Sequence, residues 1–243
     1  MITTSEQISS QSIDAAPAAT GKALFKLGGM AALAVVAIVF LQGPIFILYP
    51  QPTTVMGHFM QFQQNKLLGL VDLDLILILA EIVTIPILVA LYAALKRFNP
   101  AWLGIALATG LSGIGLFFAV NPTLAMLFLS DQYAAAATEA QRAAFLAAGE
   151  ALTAQYNGTA FGLFFILCGV SYIIFAAAML KSGIFNKVTA YMGLAMGVMM
   201  LMPPLPVLGM VALISSYVVI LPSIAWNLLI AIRLLQMARA NPR

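Results

Sequence analysis

Six long stretches of this 243-residue chain contain few charged residues, and no other feature restricts its possible folds as much. Because a helix rises about 1.5 Å per residue, about 20 apolar residues cross the roughly 30 Å hydrocarbon core of a bilayer. Each stretch reaches that length, so we predict an all-α polytopic membrane helix bundle with six transmembrane helices. The predicted spans are residues 22–48, 67–95, 101–121, 158–180, 187–207 and 210–234.

The composition excludes most soluble proteins. Hydrophobic residues make up 63% of the chain and charged residues only 8%, whereas a soluble domain carries about 25% charged residues. This balance excludes a secreted domain, a nucleic-acid-binding protein and an ordinary cytosolic enzyme. Cys168 is the only cysteine, which excludes an intramolecular disulfide and a cysteine-rich metal site. No cofactor is predicted.

The membrane domain is predicted to occupy residues 22–236, between two short cytoplasmic tails. Residues 1–21 lack the apolar side chains that would offset the entropy of ordering, so we expect a disordered tail there. Residues 237–243 form the second tail. The uncharged run before Arg233 is too long for one crossing, and prolines at 203, 204 and 206 divide it. A five-span protein with a re-entrant segment at this place is the alternative.

The basic residues near the ends of the spans predict the orientation, since cytoplasmic loops carry more Lys and Arg than outer loops. Nine basic residues fall on one side, whereas Lys66 and Arg142 fall on the other. Both termini are therefore predicted to be cytoplasmic, with loops 49–66 and 122–157 outside. The nine are Lys22, Lys26, Lys96, Arg97, Lys181, Lys187, Arg233, Arg239 and Arg243.

The second outer loop is long enough to contain an amphipathic extracytoplasmic helix, which we predict at about 138–155. Thr138 followed by Gln141 matches the capping box that begins many helices. The apolar residues that follow share one helical stripe, and the acidic ones lie on another face. Many alanines make that apolar stripe thin, which favours a cap on the bundle over a helix that lies on the bilayer.

The second span contains the only carboxyl groups that we place inside the membrane region, namely Asp72, Asp74 and Glu81. Seven residues separate Asp74 from Glu81, which puts both on one helix face, and Thr84 lies one turn beyond. A charged group at the bilayer centre costs about 2.5–3.5 kcal/mol, and no Lys or Arg lies at a comparable depth. We interpret these four residues as candidates for a proton or cation relay, with Glu81 as its deep station.

This relay predicts a small transporter or channel-like protein. The alternative is a non-catalytic sensor or assembly protein, in which a neutral Glu81 only makes hydrogen bonds to neighbouring helices. A third hypothesis, an intramembrane enzyme that acts on lipid at the outer leaflet, requires Asp72, Asp74 or His58 to converge on one pocket. The sequence contains no zinc-protease motif, nucleophile elbow or phosphate-binding loop, so it favours a protein that is not an enzyme.

Interrupted spans and polar residues at span ends are candidates for a ligand cavity, since freed backbone groups can line one. Asn121, Asn157, Pro203 and Pro204 occupy such positions. Helix caps and a tight turn explain the same four residues more simply.

The outer segment that contains Met56, His58 and Met60 is a weak candidate for a metal site, because thioether and imidazole groups suit Cu(I). No second His or Cys lies nearby, and no metal site is predicted. The predicted partners are the lipid bilayer and a proton or cation. Nucleic acid is excluded, and no homo-oligomer is predicted.

Three short segments carry a resemblance to a known family. They run from Asn121-Pro122 to Asp131-Gln132-Tyr133, from Thr138 to Ala144, and over Tyr156-Asn157-Gly158-Thr159. The chain resembles a family of bacterial six-span membrane proteins that is known as a domain of unknown function, and the resemblance covers nearly everything after the first tail. It implies a protein of the plasma (inner) membrane of a prokaryote, and it carries over no catalytic residue or ligand.

Overall fold

The computed structural model describes residues 4–49 and 51–240, and these residues form eleven α-helices and no strand. A kink with non-helical backbone within Val71–Leu75 and a 3-10 turn at Pro206–Leu208 interrupt the series. The all-α class is confirmed. The helices are α1 Thr4–Leu48, α2 Val55–Gln64, α3 Lys66–Leu70, α4 Ile76–Leu95, α5 Pro100–Val120, α6 Thr123–Ala135, α7 Glu139–Tyr156, α8 Thr159–Ser182, α9 Lys187–Met200, α10 Met210–Val218 and α11 Ile220–Arg239.

Five helical regions are long and apolar enough to cross a bilayer. Large apolar side chains such as Leu41 and Trp102 stay more than half exposed along them, as expected of surfaces that face lipid rather than water. The chain is therefore a multi-pass membrane protein. The five regions are Gly21–Ile45, Lys66–Leu95, Pro100–Ala135, Glu139–Ser182 and Ile220–Arg239.

The segment 187–207 differs from its prediction as a full-length spanning helix. Helix α9 ends at Met200 after 14 residues, which at about 1.5 Å per residue cover about 21 Å, less than the roughly 30 Å core. The early end follows from Pro203 and Pro204, since proline lacks an N–H and disfavours helical backbone in the residue before it. The predicted span 210–234 is likewise divided, between α10 and α11.

The first helix also differs from the prediction at its start. Helix α1 begins at Thr4, inside the segment 1–21 for which the sequence predicts a disordered tail, and it ends at the predicted Leu48. Helix extension costs little once a packed segment provides the first turns. Residues 1–3 and 241–243, which include Arg243 and three of the seven residues of the second predicted tail, lie outside the described residues.

Small residues let the spanning helices approach each other closely. A Cβ placed on Gly28 of α1 would lie 2.4 Å from the Cβ of Ala90 on α4, and one placed on Gly113 of α5 would lie 2.7 Å from Sγ of Cys168 on α8. Such contact holds helices together in lipid, where burial of apolar surface alone provides little driving force.

The helices alternate in direction, so the bundle has two distinct ends. At one end, Gly28, near the start of the spanning region Gly21–Ile45 of α1, lies against Ala90 and Leu234 near the ends of α4 and α11. There the Nε of Arg233 also donates to the carbonyl of Ile184, between α8 and α9, at 2.6 Å. We call this the basic end, because it holds the ends of spanning regions and helices that carry Lys22, Lys26, Lys96, Arg97, Lys181, Lys187, Arg233 and Arg239.

At the opposite end, helices α2, α3, α6 and α7 form a cap with a small core of its own. The hydroxyl of Ser130 on α6 donates to the carbonyl of Phe59 on α2 at 3.0 Å, which joins the two helices inside the cap. Lys66 and Arg142 belong to this end. The core consists of Val55, Phe59, Phe62, Leu73 and Met126.

The helix expected near 138–155 is present as α7. Thr138 and Gln141 form the capping box, in which each side chain bonds to the backbone of the other residue. The helix packs against α2 and α6, so it lies on the cap.

Candidate functional site

The second spanning region is broken where the sequence suggests a continuous helix. Between α3 and α4, Leu73 has φ −90° and ψ 40°, and Asp74 has φ 72° and ψ 18°. Asp74 is thus in the left-handed region, which non-glycine residues occupy at a cost of about 1–3 kcal/mol. We call residues 71–75 the break.

Side chains from the cap end hold the break by bonding to the carbonyls that it frees. The amide nitrogen of Gln51 donates to the carbonyl of Asp72, and the hydroxyl of Thr123, at the start of α6, donates to the carbonyl of Leu73. Thr123 is fully buried. Because buried backbone carbonyls need partners, these two contacts allow the helix to open within the protein.

The carboxyl group of Asp74 also has a partner. The hydroxyl of Tyr156, the last residue of α7, donates to Oδ2 of Asp74. The break is therefore tied to the cap as well as to the loop before α2.

Asp72 has a different environment. Its side chain is 0% exposed, and neither of its carboxyl oxygens has a hydrogen-bond partner among the described residues. The side-chain amide of Gln61 on α2 approaches this carboxyl, and Oε1 of Gln61 is itself buried without a partner. Lys66 does not neutralise the carboxyl group of Asp72, because the ammonium group of Lys66 pairs with Asp131 at 2.8 Å on the surface.

Glu81 lies further into the bundle, on α4. Its Oε2 is buried and has no partner among the described residues, and Cys168 and Tyr172 of α8 lie close enough to interact electrostatically with Glu81. The hydroxyl of Thr84, one turn beyond Glu81, donates to the carbonyl of Ala80 in the same helix at 2.9 Å.

The predicted alignment of Asp74 with Glu81 on one face assumes an unbroken helix, and the helix is broken at Leu73 and Asp74. That prediction counts seven residues along a continuous helix, whereas the regular helix α4 begins only at Ile76. The carboxyl of Asp74 instead turns to Tyr156. The structure thus brings Asp72 and Asp74 together at the break and leaves Glu81 as a separate group.

Three of the four cavity candidates line one cavity of about 580 Å³ at the start of α8: Asn157, Pro203 and Pro204. Asn121 is not among the lining residues. It is the C-cap of α5, and its Oδ1 accepts from the N–H of Thr123, the first residue of α6, at 3.1 Å. Asp72, Asp74 and His58 do not line this cavity either, so the convergence that the lipid-enzyme hypothesis requires is not found there.

Met56, His58 and Met60, the weak candidates for metal ligands, all lie on helix α2 but not on the same face. At about 100° per residue, Met56 and Met60 lie on one face and His58 on the other, so the three side chains do not converge on one ion. Burial lowers the pKa of His58. Within the described part of the chain, no group of three or more His, Cys, Asp or Glu side chains is arranged to hold a metal ion.

Sequence reasoning missed four residues that form the site around the break: Gln51, Gln61, Thr123 and Tyr156. Gln51 and Gln61 lie 21 and 11 residues before Asp72, too far for any helical spacing rule to connect them. Tyr156 carried one signal, since it lies on the predicted apolar stripe of the outer helix.

Comparisons with known proteins give one match. The model of a family described as Domain of unknown function (DUF4386) matches residues 27–238. No curated protein and no solved structure matches the chain.

Proposed function

The chain belongs to the family described as Domain of unknown function (DUF4386), and we propose that this multi-pass membrane protein binds and relays a proton at the break. The observation that carries the proposal is the fully buried carboxyl group of Asp72, which has no hydrogen-bond partner among the described residues. Ionisable groups inside the membrane region are typical of proton relays and ion pathways, so this group fits a small transporter or channel-like protein.

One proton satisfies every unpartnered atom of the pair formed by Asp72 and Gln61. A protonated Asp72 donates its O–H to Oε1 of Gln61, and the amide nitrogen of Gln61 donates to the other Asp72 oxygen. Without that proton, the negative charge of Asp72 adds to that of Asp74 and Oε1 of Gln61 stays without a donor. An uncompensated buried charge is far more costly than a neutral, hydrogen-bonded carboxyl group.

Two features support a relay rather than a static pair. The left-handed backbone of Asp74 concentrates strain at the break, as is common where a segment must change state. Glu81 provides a second carboxyl group with an unpartnered oxygen deeper in the bundle, which fits its proposed role as the inner station.

The proposal is tested by proton flux into vesicles that contain the purified protein and a pH-sensitive dye. Asp72→Asn and Glu81→Gln remove the exchangeable proton with little change of shape, and we expect both to reduce flux to that of protein-free vesicles. Asp131→Asn is the matched control, since Asp131 is exposed and pairs with Lys66 at the same end. Wild-type flux in both test variants contradicts the proposal.

A second candidate, an assembly or sensor protein whose polar residues serve only packing, is favoured by the internal bonds of Thr84 and Asp74. It predicts no flux above background for the wild type. It also predicts that Asp72→Asn folds normally while Asp72→Ala, which cannot bond to Gln61, loses stability.

We also propose six membrane crossings, both termini in the cytoplasm and a location in the plasma membrane of a prokaryote. The indole of Trp226 on α11 lies against Gly193 in the middle of α9, and Arg233 lies at the start of α9. Helix α11 therefore returns towards the basic end, which supports a crossing by residues 187–219 although α9 alone is short. The basic residues of that end support a cytoplasmic location for it.

A further inference from the structure

A second polar cavity lies at the basic end, far from the break. It has a volume of about 370 Å³ and lies between the α8–α9 turn and the last turns of α11. The lining residues are Gly183, Ile184, Phe185, Asn186, Thr189, Leu229, Ile232, Arg233 and Gln236.

Arg233 is the one charged residue that lines this cavity. The bond from its Nε to the carbonyl of Ile184, at 2.6 Å, fixes one edge of the guanidinium group. Neither terminal nitrogen has a hydrogen bond or an ion pair among the described residues. The two ion pairs of the described chain, at Asp131 and Glu139, both lie at the cap end.

The surroundings of Arg233 are positive. Lys187 follows the lining residue Asn186 directly, and Lys181 precedes the same turn; both are exposed. None of the acidic residues with a described side chain belongs to the basic end. A fixed, partly buried guanidinium without a carboxylate partner is well suited to the oxygens of a phosphate group.

The wall of the cavity is apolar on one side. Leu229 and Ile232 of α11 line it, and the side chain of Ile232 is 53% exposed. A free inorganic anion would leave this apolar surface unused, whereas the glycerol and first acyl carbons of a lipid would cover it. Basic cavities between membrane helices at the cytoplasmic side bind anionic lipid headgroups in this way.

We propose that this cavity binds the phosphate headgroup of an anionic phospholipid, with Arg233 as the principal ligand. The site is independent of the proton site at the break. It would anchor the start of α9 to the end of α11 by bridging both helices through one lipid.

The test is lipid binding to the full chain in detergent, measured by native mass spectrometry with phosphatidylglycerol and phosphatidylcholine of the same acyl chains. We expect the wild type to bind phosphatidylglycerol more tightly, and Arg233→Gln to weaken that binding by about tenfold, since loss of a charge-assisted contact corresponds to at least a factor of this size. Arg97→Gln is the matched control, because Arg97 is an exposed cation of the same end outside the cavity, and it should bind like the wild type.

A second variant separates binding from folding, because Arg233 also holds the carbonyl of Ile184. Gln236→Trp fills the cavity and leaves Arg233 in place, so it should lose phosphatidylglycerol binding at an unchanged melting temperature. Equal binding of the two lipids, an equal loss in Arg97→Gln, or wild-type binding in Gln236→Trp overturns the proposal. Displacement of phosphatidylglycerol by inorganic phosphate alone identifies a free-anion site and overturns the assignment to lipid.

Discussion

At the scale of single residues, some buried polar groups of the protein form hydrogen bonds and others have no partner among the described residues. The hydroxyl of Ser130 on α6 donates to the carbonyl of Phe59 on α2 at 3.0 Å, and that of Ser171 on α8 donates to the carbonyl of Ala106 on α5 at 2.6 Å. These groups are neutral and bonded, so they serve helix packing. Asp72 has no such partner among the described residues, which is why we place the functional site there.

The bond between Tyr156 and Asp74 gives the first prediction. Tyr156→Phe leaves the Asp74 carboxyl without its donor, and we expect the free energy of unfolding to fall by about 1–3 kcal/mol, the usual cost of an unsatisfied buried polar group. Reversible unfolding in mixed micelles measures it.

Tyr133→Phe is the control for this change. The ring of Tyr133 packs against that of Phe59 with the centroids 5.5 Å apart. Tyr133 lies in the same cap, but its hydroxyl makes no hydrogen bond to the break. We expect a change within about 0.5 kcal/mol. An equal loss in both variants would show that the Asp74 contact contributes nothing.

The burial of His58 predicts a dependence of stability on pH. Burial lowers the pKa of His58 below its ordinary value of 6.5, so the unfolded chain binds a proton at a higher pH than the folded chain does. The contribution of His58 to stability is therefore complete above 6.5 and is lost as the pH falls towards the folded pKa.

The variant His58→Gln lacks this pH-dependent contribution to stability. The melting temperature of the wild type should fall relative to that of His58→Gln between about pH 7 and about pH 5, the range in which histidine titrates. Two parallel melting curves over this range would contradict the prediction.

At the scale of helices, the close approach of α1 to α4 and α11 depends on Gly28. A Cβ at Gly28 would lie 2.4 Å from the Cβ of Ala90 and 3.2 Å from the backbone oxygen of Pro86. A backbone atom cannot yield by a rotamer change, so one methyl group forces the helices apart.

Gly28→Ala should therefore destabilise the protein by about 1–3 kcal/mol, as overpacking does. Gly104→Ala on α5 is the control, because no atom lies within 4 Å of a Cβ there; it should stabilise by about 0.5–1 kcal/mol through the lower entropy of the unfolded chain. Unfolding in mixed micelles compares the two, and a Gly28→Ala variant as stable as Gly104→Ala would show that the helices can separate freely.

At the scale of the whole molecule, the basic end and the cap end should face opposite sides of the membrane. In a Cys168→Ala background, we expect an impermeant maleimide added to intact cells to label Arg142→Cys in the cap. It should leave Arg97→Cys and Arg239→Cys at the basic end unlabelled. Labelling of position 239 but not of position 97 would indicate five crossings instead of six.

The sequence by itself determined the features that depend on local composition. Long apolar runs require helices in lipid, because only intrahelical bonds satisfy the backbone there, and the four spans predicted before residue 187 coincide with helical regions, of which the second is interrupted at residues 71–75. Thr138 and Gln141 predicted the start of α7 correctly, since a capping box involves residues only three apart. Residues 187–207 do not form one full-length helix, because three prolines compete with the apolar length.

Only the tertiary structure decided where the carboxyl groups meet their partners. Periodicity assumes an unbroken helix, and the break at Leu73 and Asp74 removes that assumption. Helix packing, over separations that no spacing rule reaches, places Gln61 beside Asp72 and Tyr156 beside Asp74. Local pattern thus determines which segments are helical, whereas the environment of each buried charge depends on which helices pack together.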